Sequence, residues 1–114
     1  MSAPPKDFLR QIADADRVVA VEFDSGAELS RLSLGREDAS RIARAMSSAR
    51  SIGNPSLATN RALKFFRGTN LVSTVDFYEG YFLIKDAWYE DRTGVLQSVE
   101  RDFNGQTKKA KGAS

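Results

Sequence analysis

Closely spaced carboxylates are the first candidates for chemistry in this chain of 114 residues. Paired carboxylates can act as acid and base, and a cluster of them can bind a hard cation. The spacing matches no calcium-loop pattern, so the cluster favours a solvated sheet edge, which charged residues protect from aggregation. An acidic rim beside aromatic residues would also suit contact with a basic protein surface. The members of the cluster are Asp76, Glu79, Asp86, Glu90 and Asp91.

Two residue types that carry much of enzyme chemistry are missing. The chain has no His and no Cys, so it has no imidazole base, no thiol nucleophile and no thiolate or imidazole metal ligand. Most glycines stand singly at predicted turns, with neither a dinucleotide-binding nor a P-loop pattern. We therefore predict a protein that is not an enzyme and uses no cofactor or metal. An enzyme that works with carboxylates and tyrosine is the weaker alternative.

Aromatic residues concentrate in the segment 65–89, which holds eight of the eleven in the chain. Because side chains alternate between the two faces of a strand, the adjacent rings of a pair cannot both face the same side. One ring of each pair must point away from the helix layer. These outward rings are either covered by the terminal helices or form a patch for a partner. Among the adjacent pairs are Phe65–Phe66, Phe77–Tyr78 and Tyr81–Phe82.

The outward rings and the neighbouring carboxylates predict a small non-enzymatic protein-binding module, such as an inhibitor, an immunity-type protein or an adaptor. Its contact surface would be the aromatic and acidic face of the strands between residues 61 and 91. The partner would be another protein, and a second copy of the chain is also a candidate, since exposed sheet faces often form dimer contacts. The predicted contact residues are Phe66, Tyr78, Tyr81, Trp88, Tyr89, Glu90 and Asp91.

A basic middle segment supports the alternative of nucleic-acid binding. The whole chain has a net charge of +2, but residues 36–70 carry seven basic and two acidic groups, and a Lys-rich tail follows later. Basic side chains contact phosphates, and neighbouring aromatic rings can stack on unpaired bases. The segment 61–68 does not match the aromatic RNA-binding strand signature. The candidate contacts are Arg41, Arg44, Arg61, Lys64 and Arg67.

The elements that must position these residues predict an α+β fold. The order α-β-β-α-β-β-β-α implies an antiparallel sheet of about five strands with one amphipathic helix packed on a face. An Ala-rich apolar stripe marks that helix. The last element is ambiguous between a helix and a strand at 95–101, and we favour the helix. The predicted helices are 5–14, 36–50 and 95–103, and the predicted strands are 17–23, 29–34, 61–67, 71–78 and 81–84, with a continuation towards Tyr89.

The composition predicts one domain at 1–104, followed by a disordered basic tail at 105–114 that has no large apolar residue to bury. The first residues lack the pattern of a signal peptide, and no apolar stretch is long enough for a membrane helix. We therefore predict a cytoplasmic location and no membrane partner.

Overall fold

A computed structural model describes the backbone of residues 2–112 and the side chains of residues 2–106. It shows three helices and one seven-stranded antiparallel sheet, which confirms the α+β prediction. The helices are α1 (Lys6–Ala13), α2 (Arg36–Ser47) and α3 (Val95–Gly112). The strands are β1 (Arg17–Asp24), β2 (Ala27–Leu34), β3 (Arg50–Gly53), β4 (Arg61–Arg67), β5 (Asn70–Tyr78), β6 (Tyr81–Ile84) and β7 (Ala87–Glu90).

The strand order across the sheet is β2-β1-β4-β5-β6-β7-β3, and every neighbouring pair is antiparallel. Tight turns explain the sequential pairs. Ser25 and Gly26 at the β1–β2 turn have φ values of 52° and 84°, which a two-residue hairpin of the primed type requires. The strands β4 to β7 follow each other as a meander, as the sequence predicts. Strand β1 then pairs with β4 and strand β3 with β7, so the meander lies between them.

All three helices cover one face of the sheet, which we call the inner face. Alternate strand residues such as Val18, Leu63 and Phe77 point there and are fully buried. Ile42 of α2 and Phe103 of α3 belong to the same apolar cluster. Burial of apolar area at about 25 cal/mol per Å² makes this cluster the main source of stability. We call the opposite side of the sheet the outer face.

Two short strands correct the predicted count of about five. Strand β3 occupies residues predicted as the end of a helix and a loop, because α2 already ends at Ser47. Its Ser-Ile-Gly sequence favours a turn locally, and it becomes a strand only by pairing with β7 at the edge of the sheet. Three helices, rather than one, cover the sheet.

The last element is a helix, so the favoured prediction is confirmed and the alternative strand at 95–101 is wrong. Helix α3 continues to Gly112, beyond the end predicted at Asn104. The predicted tail at 105–114 therefore overlaps the helix, its last two residues lie outside the described part, and its disorder stays a prediction. Among the described residues, no helix combines the length and the apolar character needed to cross a membrane.

Candidate functional site

The outer face carries a group of neighbouring exposed and half-buried side chains on β4, β5 and β6. Strand register places Lys64 beside Thr74, Phe66 beside Leu71, Asp76 beside Leu83 and Tyr78 beside Tyr81. These eight residues point away from the helices, because the residues next to them in their strands belong to the inner core. We call them the outer patch: Lys64, Phe66, Leu71, Thr74, Asp76, Tyr78, Tyr81 and Leu83.

Strand β5 forms the most exposed part of the outer patch. The side chains of Leu71 and Tyr78 are 52% and 38% exposed, and Thr74 and Asp76 between them are also exposed. Tyr81 on the next strand is half-buried. An apolar and an aromatic side chain of this size on one strand face are features of surfaces that bind partners.

The neighbouring part of the outer face, on β1 and β4, is partly covered by its own side chains. Val21 and Ala62 are buried there, although no helix lies over them, and the rings of Phe23 and Phe66 pack against their cluster. The Lys64 ammonium lies 5.6 Å from the centre of the Phe23 ring. The predicted contact residue Phe66 therefore also has a structural role.

Two of the predicted contact rings are buried in the folded chain. Tyr89 points to the inner face and stacks on Phe82 with 5.5 Å between ring centres. Trp88 points to the outer face, yet only 3% of it is exposed. Strand alternation explains the direction of Tyr89. Neither ring offers an exposed surface, which corrects the expectation that both contact a partner.

Asp91, another predicted contact residue, holds the start of α3. Only 5% of it is exposed. Its Oδ1 accepts hydrogen bonds from the backbone N–H and the hydroxyl of Thr93, at 2.9 and 2.5 Å, and its Oδ2 accepts one from the N–H of Leu96 at 2.9 Å. Thr93 also accepts a bond from the N–H of Val95 at 3.3 Å. Asp91 thus satisfies the N–H of Leu96 in the first turn of α3, which would otherwise lack a partner.

The acidic cluster does not come together as a site. Asp86 lies in the β6–β7 turn, whereas Glu79 lies in the β5–β6 turn at the opposite end of β6. Glu90 pairs with Arg92 at 2.9 Å. Among the described residues, no group of three or more acidic side chains could hold a metal ion.

The five basic residues predicted to bind nucleic acid do not share one surface. Arg41 and Arg44 lie on α2, on the helix side of the sheet, and Arg41 pairs with Asp38 at 2.9 Å. Lys64 belongs to the outer face. Arg67, at the end of β4, is 68% exposed. The basic character of residues 36–70 is therefore distributed over both sides of the molecule.

The fifth of these residues, Arg61, is the centre of a charged network that sequence reasoning missed. Its guanidinium donates hydrogen bonds to carboxylates from two other elements, Glu22 of β1 and Glu100 of α3, and to Asn104 at 2.7 Å. All three charged side chains are only 15–17% exposed. The chain positions 22, 61 and 100 come together only through the tertiary fold, so no local pattern could have indicated the network.

A groove of about 490 Å³ opens beside this network. We call it the Arg61 groove. Tyr78 lines it as well as belonging to the outer patch, so the groove and the patch are continuous. Its lining residues are Glu22, Ala58, Thr59, Asn60, Arg61, Tyr78, Glu100 and Asn104.

Burial makes Glu100 an unusual carboxylate. Burial raises the pKa of its side chain above the ordinary value of 4.5, while the Arg61 guanidinium opposes the shift. A hydrogen bond with the Glu79 backbone also lowers the pKa, and the negative charge of Glu79 raises it. The Glu100 Oε2 atom is buried and has no hydrogen-bond partner in the described part of the chain. The groove therefore holds a carboxylate whose burial is not fully offset by its interaction with Arg61.

Replacement of this carboxylate tests its electrostatics. The raised pKa means that the fold penalises the charged form, so the penalty is absent below 4.5 and complete above the folded pKa. We expect Glu100→Gln to match the wild type near pH 4 and to gain relative stability as the pH rises towards about 7. Urea unfolding across this range measures the difference. A stability advantage of Glu100→Gln over the wild type that shrinks with rising pH would contradict a raised pKa of Glu100.

Comparison with known proteins adds no relative: no family model matches the chain, and no curated protein or solved structure matches it.

Proposed function

We propose that this chain is a small non-enzymatic protein-binding module that contacts its partner through the outer patch. The observation that carries the proposal is the exposure of Leu71 and Tyr78 on one face of β5, on the side of the sheet that the helices leave open. Three further apolar or aromatic residues extend the patch: Phe66 lies beside Leu71, Tyr81 beside Tyr78, and Leu83 beside Asp76. Aromatic and apolar side chains of this kind form the centre of protein interfaces.

The chemical character of the patch supports a protein partner over a nucleic acid. Asp76 adds one negative charge to the patch and Lys64 adds one positive charge, so the patch has no excess of positive charge. The five basic residues predicted for nucleic-acid binding lie on different surfaces, which weakens that alternative. An inhibitor, an immunity-type protein and an adaptor all fit the proposed role, and a cytoplasmic location is part of the proposal.

Site-specific photo-crosslinking tests the proposal. A photoreactive phenylalanine analogue replaces Thr74 in the patch or, as the control, the exposed Ser40 on α2. In a lysate of the source organism, we expect a discrete adduct of defined mass from position 74 and none from position 40. Equal adducts from both positions, or none, would contradict the proposal. An adduct of twice the chain mass would assign the patch to a second copy instead of a different protein.

A matched pair of substitutions sharpens the test. Tyr78→Ser removes the exposed ring at one end of the patch, and we expect it to lower the yield of the adduct from position 74 by about tenfold, the effect of a typical interface hot spot. Leu29→Ser is the control, because Leu29 is 64% exposed on the edge strand β2, outside the patch. We expect this variant to retain the full yield. An equal loss in both variants would show that the effect is not specific to the patch.

A further inference from the structure

We propose that the Arg61 groove receives an arginine or lysine side chain of the protein partner. This inference rests on the proposed function and deepens it, because it states the chemistry of the partner at one end of the interface. The groove lies against the outer patch and shares Tyr78 with it. A partner that covers the outer patch would reach the groove by extending past Tyr78 around the end of the sheet, because Glu100 and Asn104 belong to α3 on the helix side.

The charge balance of the groove determines the sign of its occupant. Glu22 and Glu100 line it together with one cation, Arg61, so its walls carry a net charge of −1. Glu79 lies close enough to influence Glu100 and adds a further negative charge. A phosphate or a carboxylate would be repelled by these groups, whereas a cation would be attracted.

The hydrogen-bonding groups of the groove also favour a cationic side chain. Glu100 has a buried carboxylate oxygen without a hydrogen-bond partner among the described residues, which acts on a cation through its charge, and Glu22 meets Arg61 only at 3.4 Å. Asn60 adds a side-chain carbonyl oxygen to the lining, whereas that of Asn104 already accepts a hydrogen bond from Arg61. Guanidinium and ammonium groups are pure donors, so they complement a lining rich in acceptors.

Tyr78 supplies the aromatic element of the site. Its ring is 38% exposed where the groove meets the outer patch. A cation that enters along the ring gains a cation–π interaction in addition to the attraction of the carboxylates. The same chain already uses such contacts, since the guanidinium of Arg17 lies 4.5 Å from the centre of the Phe66 ring.

Backbone NMR titration with short capped peptides tests the inference. The probes are acetyl-Gly-Arg-Gly-amide and acetyl-Gly-Lys-Gly-amide, and acetyl-Gly-Gln-Gly-amide is the neutral control. We expect at least one basic peptide to give saturable shifts at Tyr78 and Asn104, with a dissociation constant of about 1–10 mM, as expected of a single side chain. Absence of saturable shifts, or equal shifts with the glutamine peptide, would overturn the inference.

Two variants show whether the buried carboxylate is responsible. Glu100→Gln removes the negative charge and preserves the shape of the side chain, and we expect it to weaken binding of the basic peptide by at least about fivefold. Asp102→Asn is the control on the same helix, because Asp102 is exposed and does not line the groove. It should retain the wild-type affinity within about twofold. Equal affinity of the wild type and Glu100→Gln would overturn the inference, and well-dispersed spectra of both variants show that they are folded.

Failure of this inference is distinguishable from failure of the proposed function. The adduct at position 74 needs only the outer patch, and the peptide titration needs only the groove. An adduct without peptide binding would support the proposed protein-binding function and contradict the inference that a basic side chain occupies the groove. Peptide binding without an adduct would support a cation site but contradict the proposed interface.

Discussion

Phe65→Ala is expected to lower the free energy of unfolding by about 3–5 kcal/mol, the range for a large aromatic side chain deleted from a packed core. The adjacent change, Phe66→Ala, is expected to cost only about 1–2 kcal/mol, because its ring is half-buried on the outer face. Phe65 is fully buried on the inner face. The two residues are neighbours of the same type, so the difference reports directly on the two faces of the sheet.

Urea unfolding followed by the fluorescence of Trp88 measures both changes. Trp88 is the single tryptophan of the chain and is buried, so its emission reports loss of the fold. Equal losses from Phe65→Ala and Phe66→Ala would contradict a sheet with one helix-covered and one open face. A larger loss from Phe66→Ala would reverse the assignment of the faces.

Asp91→Ala is expected to destabilise the chain by about 2–3 kcal/mol. Its carboxylate accepts three hydrogen bonds in a buried position, and its removal leaves the N–H groups of Thr93 and Leu96 without these partners. The loss should exceed that of a solvent-exposed helix cap, which is about 1 kcal/mol. Urea unfolding measures the change in free energy, with the exposed residue Asp102, changed to Ala, as the control.

Hydrogen exchange locates the effect of the same substitution. We expect faster exchange at the N–H groups of Val95 and Leu96 in Asp91→Ala, because the first turn of α3 loses its anchor. The amide exchange rates of the central strands β4 and β5 should keep the same rank among the elements as in the wild type. An unchanged first turn, together with unchanged stability, would show that Asp91 does not hold the helix.

The sequence predicts the main elements because their apolar patterns are local. The stripe of Ala39, Ile42 and Met46 defines α2, and the alternation around Leu63 and Phe65 defines β4. Strand β3 could not be predicted in this way, because its four residues resemble a loop and gain strand structure only through β7. Pairing between distant segments is the information that a local pattern lacks.

The candidate site, like the fold, could be predicted only where a local pattern indicates it. Alternation correctly places one ring of each adjacent pair on the outer face, including Tyr78 and Tyr81. Alternation cannot show how far neighbouring segments cover a ring. Trp88, for example, is buried although it points outward. The Asp-x-Thr spacing before α3 is a capping pattern that could have identified the structural role of Asp91. No sequence signal connects Glu22, Arg61 and Glu100.

The strand order has a consequence for how the molecule folds and for whether it can be divided. The meander β4–β7 consists of sequential hairpins, which need only short loop closures and can form early. The earlier part of the chain borders this meander on both sides, with β1 at one side and β3 at the other. A break in the connection 54–60 would therefore not release two separate domains. Each half would lack the strands that complete its sheet, so we expect the halves to acquire their final structure together, in one cooperative step.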